Sequence, residues 1–418
     1  SLKPGQIGRL KGKNRMRYNA TVDNFCDKNT GEMTDREIAY LAEKAKGGFG
    51  IVTSGGGYPH ILGKGYIAQM ALDDDKFIPG LRRLADAIKA NGAVAVGQVM
   101  HTGRYAHPHE YDIPGEPVGP TAMPTKIPRY APCRELTTAE VKELVESHAQ
   151  AARRIKEAGF DAVEICGIVG YLIANFTCRW TNKRTDEYGG SLENMARFPV
   201  EIIKRTREIV GQDYPIFARL NATDLMKGGN TEEEYIEIGK MCEAAGLDYI
   251  SISVGWHESD WSAISADIPL GHWLYLAEKW KKAGIKAPLG MAYRLNKPEI
   301  TDKAIADGII DYWEMCRPGI ADPYLPLKVA ESRPEDIAIC TACNLGCFTR
   351  IFTDGTMSCM MFPRCGHEGE EAYQIKPAER KKRIFVIGGG PAGMEAARVA
   401  ALRGHDVTLY EKSDKVGG

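Results

Sequence analysis

The sequence predicts an α/β protein whose main body is an eight-stranded (β/α)₈ TIM barrel, followed by a cysteine module and the start of a Rossmann-like domain. Three observations predict it. Short apolar runs alternate with longer amphipathic runs eight times over residues 16–315. Five of the 11 cysteines crowd into residues 340–365. A glycine-rich turn then follows an apolar run at Gly388. Alternation of this kind is typical of parallel sheets with crossover helices.

The predicted barrel strands are apolar and often β-branched, which suits strands buried on both faces of a parallel sheet. They cover residues 16–21, 49–54, 93–99, 160–166, 215–220, 248–254, 287–291 and 309–315. A doubly wound open sheet also alternates strands with helices. Eight units exceed what most open sheets use, and this favours the closed barrel.

The amphipathic runs between the strands predict helices with ordinary start and stop signals. Three of them cover residues 137–158, 191–210 and 231–245. Thr137 or Thr138 is the N-cap of the first, and Gly159 closes its end. The alternation of strands and helices is broken at residues 105–133, which are rich in Pro, Gly and aromatic residues. This segment predicts a long loop over the mouth of the barrel.

Length and charge narrow the class of protein. At 418 residues the chain exceeds one ordinary domain. A formal net charge of −1 provides no field that would attract nucleic acid or anionic lipid. No stretch of 18 apolar residues and no basic leader is present, so we expect a soluble, cytoplasmic protein that makes no membrane contact.

The crowded cysteines have the spacing of a metal site. Cys340, Cys343 and Cys347 lie within eight residues, and Cys359 follows after eleven more. Structural zinc sites also begin with C-x₂-C, but they place a second such pair across a long gap. Three ligands from one turn favour a 4Fe-4S cluster. Cys365 competes with Cys359 as the fourth ligand.

The glycine motif predicts a dinucleotide site. Gly388, Gly390 and Gly393 form G-x-G-x-x-G after an apolar run, and a second apolar run ends at Glu411. The glycines permit a tight turn and close approach of a pyrophosphate, while the acidic side chain can accept the ribose hydroxyls. The motif alone does not choose between FAD and NAD. The sequence stops before a complete dinucleotide fold.

Four segments, together with the cysteine spacing, resemble the iron–sulfur branch of the old yellow enzyme family. They cover residues 13–15, 98–104, 182–191 and 316–323. That branch includes 2,4-dienoyl-CoA reductase, enoate reductases, trimethylamine dehydrogenase and aryl-CoA reductases. The resemblance implies an FMN barrel over 1–332, a 4Fe-4S module and linker over 333–381, and the beginning of an FAD domain over 382–418. NAD(P)H would be the electron donor. The resemblance also selects Cys359 over Cys365.

The resemblance implies a set of FMN-binding residues at the carboxyl ends of the strands. They are Ala20, Thr21, Gln98, Arg219, Arg294, Cys316 and Arg317. Gln98 can bind the pyrimidine edge of the flavin, and Arg219 can stabilise its reduced anion. Arg294 and Arg317 suit the phosphate, which late barrel loops often bind. For FAD the implied residues are Gly388, Gly390, Gly393 and Glu411.

The substrate side resembles dienoyl-CoA reductase, in which a tyrosine donates a proton and a histidine activates the carbonyl. Tyr171 and His257 stand at these positions, and a cationic or hydrogen-bonded His257 would lower the pKa of Tyr171. Other members place His-x-x-His or His-x-x-Asn after strand four. Cys166 and Val169 stand there instead, which makes that carbonyl clamp doubtful and counts against amine oxidation.

We therefore expect an NAD(P)H-dependent ene-reductase of a small-molecule substrate, a dienoyl-, enoyl- or aryl-CoA thioester. The alternatives are a reductase of free acids, steroids or pigments, an amine dehydrogenase, and a non-catalytic electron-transfer subunit. Members of the family range from monomers to multimers, so the resemblance leaves a homo-oligomer open.

Overall fold

Eight parallel strands close into a barrel in chain order. The computed structural model describes residues 1–107, 110–260 and 265–417. The strands are β1 (Met16–Tyr18), β2 (Ile51–Gly57), β3 (Val94–Val99), β4 (Ala162–Gly167), β5 (Ile216–Thr223), β6 (Tyr249–Val254), β7 (Leu289–Met291) and β8 (Tyr312–Met315). Pairing of β8 with β1, Trp313 opposite Met16, closes the ring. The predicted fold class is confirmed, and each predicted strand overlaps one barrel strand.

Helices alternate with the barrel strands and follow the predicted pattern. They are α1 (Asp35–Lys46), α2 (Ile78–Ala90), α3 (Thr138–Glu157), α4 (Leu172–Thr177), α5 (Leu192–Val210), α6 (Glu232–Ala244), α7 (Leu274–Lys282), α8 (Pro298–Ala306), α9 (Arg317–Ala321) and α10 (Leu325–Ala330). Thr137 is the N-cap of α3 and forms a capping box with Glu140. Ser191 and Thr231 cap α5 and α6. All three predicted helices are confirmed.

The long loop between β3 and α3 reaches two other segments at the mouth of the barrel. The backbone amide of Lys126 donates to Glu258, in the loop after β6, at 2.5 Å. Arg129 donates to the carbonyl of Phe352 and pairs with Asp354 in the cysteine-rich segment. The predicted loop therefore spans the mouth as expected, although its positions 108 and 109 lie outside the described residues.

A buried ionic network fills the interior of the barrel. Arg17 on β1 donates to Glu314 on β8 at 2.9 Å and pairs with Glu164 on β4. All three side chains are at most 1% exposed. Gln98 on β3 donates to the other oxygen of Glu164 at 2.8 Å, and Tyr249 on β6 donates to Glu314 at 2.7 Å. Five strands are thus tied by charge-assisted hydrogen bonds at one level of the barrel.

The remaining described residues form a second unit. Contacts divide the chain into Ser1–Gly366 and His367–Gly418. The second unit holds β9 (Arg383–Ile387), α11 (Pro391–Leu402) and β10 (Asp406–Tyr410), with β9 and β10 parallel. The predicted boundaries at 332 and 381 stay a prediction. Within the residues described, no helix combines the length and apolar character needed to span a membrane.

Replacing Arg17 with Met should lower the free energy of unfolding by about 3–5 kcal/mol, because two buried carboxylates lose their countercharge. Denaturant titration measures this loss. The matched control is Lys303→Ala, which removes an exposed pair with Asp307 on α8 and should change stability far less. A loss below about 1 kcal/mol for Arg17→Met would mean that the carboxylates do not depend on this cation.

Candidate active site

A cavity of about 230 Å³ opens at the carboxyl ends of the barrel strands. Eight of the residues predicted to bind cofactor or substrate line it. They are Ala20, Thr21, Tyr171, Arg219, His257, Arg294, Cys316 and Arg317. Gln98 lies outside this lining and is 2% exposed. It is hydrogen-bonded to Glu164, whose partner Arg17 also binds Glu314 in the cavity wall.

Arg219 is a cation with few protein partners. Its Nη1 donates only weakly to the carbonyl of Ala20, at 3.4 Å. Its Nε is buried and has no hydrogen-bond partner among the described residues. Nearby, the Thr21 hydroxyl and the Cys316 thiol are 3.0 Å apart. A buried guanidinium with an unused donor fits an electron-rich planar ligand such as a flavin, since such donors are costly to leave unsatisfied.

Two further arginines lie together at the other end of the cavity. Arg294 donates to the carbonyl of Ile268 at 2.8 Å, and Arg317 donates to Asn344 at 2.6 Å. Neither forms an ion pair with any residue that the structure describes. Burial, and then the charge of Arg317, lowers the pKa of Arg294. Adjacent cations that are not ion-paired to a carboxylate fit a phosphate, so these residues suit FMN.

Tyr171 and His257 meet at the substrate side of the cavity. His257 Nε2 lies 3.2 Å from the Tyr171 hydroxyl. Burial lowers the pKa of His257 to about 4, so the ring is neutral near pH 7. Burial also raises the pKa of Tyr171. The hydrogen bond to His257 expected from the sequence is present, but the group that lowers the pKa of Tyr171 against the effect of burial is Tyr66. The lowered pKa of His257 disfavours the cationic option, because a buried imidazolium would have no countercharge.

Sequence reasoning missed three aromatic residues that complete this side. Tyr66 bonds the Tyr171 hydroxyl at 2.7 Å. Phe348 and Phe352 come from the cysteine-rich segment, and the Phe352 ring centre lies 5.0 Å from that of His257. No motif marks Tyr66. Phe348 follows Cys347 directly, and Phe352 lies four residues later. A segment this short shows no repeated apolar pattern from which the position of either ring could be predicted.

Val169 adopts a backbone conformation that is unusual for a β-branched residue. Its φ is 50°, in the left-handed region, which costs about 1–3 kcal/mol. The Asn221 side chain accepts from the Val169 amide at 3.2 Å, and the His257 amide donates to the Val169 carbonyl at 3.1 Å. The strained residue therefore fixes the loop that carries His257. Burial raises the pKa of nearby Cys166 to about 12, so it is a neutral thiol.

The four predicted cysteine ligands line one small cavity of about 20 Å³. Within the described chain, no group of three or more His, Cys, Asp or Glu is arranged to hold a metal ion. Four thiols around one cavity are the donor set that a 4Fe-4S cluster takes, and the cluster and its ligands stay a prediction. Cys365 is buried outside that lining.

The glycine motif forms the expected strand–turn–helix in the second unit. Gly388 has φ 102°, and Gly390 is the N-cap of α11. A Cβ on Gly393 would lie 1.9 Å from the carbonyl oxygen of Gly388, so only glycine fits there. Glu411 accepts from the Gly389 amide at 2.7 Å, at the end of β10. The turn has the geometry of a pyrophosphate site, and its ligand stays a prediction.

A closed barrel whose carboxyl end combines a buried, unsatisfied arginine with two neighbouring arginines suits a flavin ring and its phosphate. Residues 2–336 match the NADH:flavin oxidoreductase / NADH oxidase family, and the chain belongs to it. Residues 386–418 match an NAD(P)-binding Rossmann-like domain.

Three relatives are similar to this chain along nearly its whole length. The structure of a 2-naphthoyl-CoA reductase bound to 2-naphthoyl-CoA has TM-score 0.98 and 61% identity, covering 100% of this chain and 65% of that chain. A metal reductase of Desulforamulus reducens is 41% identical over 99% of this chain and 61% of its own length. A cinnamate reductase of Clostridium sporogenes is 36% identical over 99% and 65%. The chain thus spans less than two thirds of these relatives.

Arg317→Ala should raise the dissociation constant for FMN by about 10–100-fold, since a hydrogen bond to a charged group contributes about 1.5–3 kcal/mol. Riboflavin, which lacks the phosphate, should bind as it does to the parent protein. Fluorescence titration of flavin-free protein measures both constants. The matched control is Arg333→Ala, an exposed arginine paired with Glu331 and Asp336. Equal weakening of FMN and riboflavin would contradict a phosphate contact.

Proposed function

We propose that this protein reduces a conjugated acyl-CoA thioester, of the aryl-CoA kind, with electrons from NAD(P)H. The observation that carries the proposal is the pairing of Tyr171 with a neutral His257 at an aromatic cavity. His257 Nδ1 is buried and without a partner among the described residues, so it is free to donate to a carbonyl oxygen of the substrate.

The residues that line the cavity favour binding of a planar, apolar acyl group. Phe348, Phe352 and Tyr66 stand beside His257, and the Phe348 and Phe352 ring centres are 4.7 Å apart. Aromatic faces favour offset or edge contacts with another ring. The relative that binds 2-naphthoyl-CoA supports an aryl ring and a thioester together.

In the proposed reaction FMN, when bound, supplies a hydride to the electrophilic carbon of the substrate. Arg219, Ala20, Thr21 and Cys316 would hold the flavin ring, Gln98 its pyrimidine edge, and Arg294 and Arg317 its phosphate. His257 donates from Nδ1 to the thioester oxygen and stabilises the developing enolate. Tyr171 gives its hydroxyl proton to the enolate carbon. Its raised pKa keeps that proton in place until the enolate forms.

The four cysteines would hold a 4Fe-4S cluster, which supplies single-electron transfer when bound. Burial raises the pKa values of Cys340, Cys347 and Cys359, so an empty site would keep these thiols protonated. Binding of iron would release those protons. Gly388, Gly390, Gly393 and Glu411 would begin an FAD site, with NAD(P)H reducing that flavin.

Reduction of a free acid is the second candidate, and the cinnamate reductase relative favours it. An amine dehydrogenase is less well supported. Cys166 and Val169 offer a neutral thiol and an apolar side chain at the substrate side, neither of which binds an ammonium group. An anaerobic assay separates the three: photoreduced holoenzyme is mixed with 2-naphthoyl-CoA or cinnamate, and oxidised holoenzyme with trimethylamine. Reoxidation by the thioester alone supports the proposal, and flavin reduction by the amine contradicts it.

Tyr171→Phe should slow reoxidation of the reduced flavin by the thioester about 10²–10⁴-fold, the usual contribution of a general acid. Reduction of the flavin by NAD(P)H should stay nearly unchanged in the same variant and serves as the internal control. Stopped-flow absorbance measures both half-reactions. A loss within about threefold, less than about 1 kcal/mol of barrier, would remove Tyr171 from the mechanism.

Purified holoenzyme should contain about four iron and four sulfide per chain. Cys343→Ser should lower that content, while the matched variant Cys365→Ser should keep it, because Cys365 lies outside the lining of the cysteine cavity. Iron analysis and acid-labile sulfide analysis measure the content directly. Zinc in place of iron would contradict the proposed electron path.

A further inference from the structure

We propose that Tyr66 is a proton-relay residue: it returns a proton to Tyr171 after Tyr171 has protonated the substrate. This inference rests on the proposed function, in which Tyr171 is the donor. Tyr66 lies on the loop after β2, far from Tyr171 in sequence, and carries no motif. Its role would be to supply a proton through Tyr171.

The two phenols form a buried hydrogen-bonded pair. The oxygen atoms of Tyr66 and Tyr171 lie 2.7 Å apart, and the residues are 4% and 6% exposed. His257 Nε2 lies on the other side of the Tyr171 oxygen, at 3.2 Å. With the proton of neutral His257 on Nδ1, Nε2 accepts from Tyr171, and Tyr171 in turn accepts from Tyr66. The three groups form an unbroken chain of hydrogen bonds.

The direction of this hydrogen bond suits resupply of a proton. Donation from Tyr66 lowers the pKa of Tyr171 against the larger effect of burial, and the same bond raises the pKa of Tyr66. Tyr66 therefore stabilises the Tyr171 phenolate that remains after proton transfer. A buried phenolate without a donor would be costly, since desolvation disfavours the charged form.

Tyr66 lines the cavity at the carboxyl ends of the strands, and this opening is the route by which water would restore its proton. The Tyr111 hydroxyl donates to Asp354 at 3.0 Å, and the Asp354 side chain is 31% exposed. Tyr111 is close enough to Tyr66 for its charge to affect the pKa of Tyr66. The Phe352 ring packs edge-on against Tyr66 at 5.9 Å.

The proposed steps balance. The Tyr171 hydroxyl turns away from its hydrogen bond with His257 Nε2, and its O–H bond breaks as the C–H bond of the product forms, leaving a phenolate. The Tyr66 O–H bond then breaks as the Tyr171 O–H bond re-forms, and water restores the proton of Tyr66. The net change is one proton from solvent to substrate, and no electron moves beyond the hydride already supplied.

The decisive variant is Tyr66→Phe in the flavin-loaded full chain, with Tyr130→Phe as the matched control. Tyr130 is a buried tyrosine that packs on Tyr105 at 5.2 Å, outside the hydrogen-bonded pair. Tyr66→Phe should slow flavin reoxidation by 2-naphthoyl-CoA at least tenfold and enlarge its solvent deuterium isotope effect. In a Tyr171→Phe background it should cause no further loss, because it acts through Tyr171. Additive losses in the double variant would overturn the relay.

A second measurement does not depend on the substrate. With 3-fluorotyrosine at position 171, ¹⁹F NMR titration of the holoenzyme follows ionisation of that phenol. Tyr66→Phe should raise its pKa, because the donor is lost, while Tyr130→Phe should not. An unchanged pKa would overturn the relay. If no thioester reoxidises the parent enzyme, the proposed function fails, and a raised pKa in Tyr66→Phe would still support the coupled pair.

Discussion

The buried ionic network around Arg17 holds the barrel strands in a fixed arrangement next to the cavity. Arg17 bridges Glu164 and Glu314, two carboxylates from strands on opposite sides of β1 along the ring. Glu164 in turn fixes Gln98, and Glu314 lines the cavity. Since isolated buried charges are expensive, each member holds the others in one arrangement. The floor beneath the proposed flavin is therefore set by charge pairing within the strands.

The cysteine-rich segment is the second determinant of the site. Met357 donates its amide to the carbonyl of Asp23 at 2.8 Å, and Asn24 donates to Gly355 at 3.0 Å, so the segment is fastened to the loop after β1. The cysteine cavity and the larger cavity share five lining residues: Arg317, Ile320, Cys340, Asn344 and Cys347. The residues proposed to hold a phosphate and those proposed to hold a cluster thus share a wall.

The barrel fold could be predicted from the sequence because its signals are local and repeated. Capping residues such as Thr137 and apolar strand runs need no knowledge of distant contacts. The positions of Arg294 and Arg317 followed from the rule that barrel chemistry lies at strand ends. Tyr66 and Phe352 could not be found in this way, because their roles depend on packing between segments remote in sequence. The neutral state of His257 likewise depends on burial.

Phe348 and Phe352 follow Cys347 within five residues, and both stand in the wall beside His257. Whatever orders the cysteines therefore also orders the surface that meets the substrate. Under the proposed function, loss of the cluster would therefore act twice: it would remove the electron supply, and it would loosen the segment that places Phe348 and Phe352 in the cavity wall.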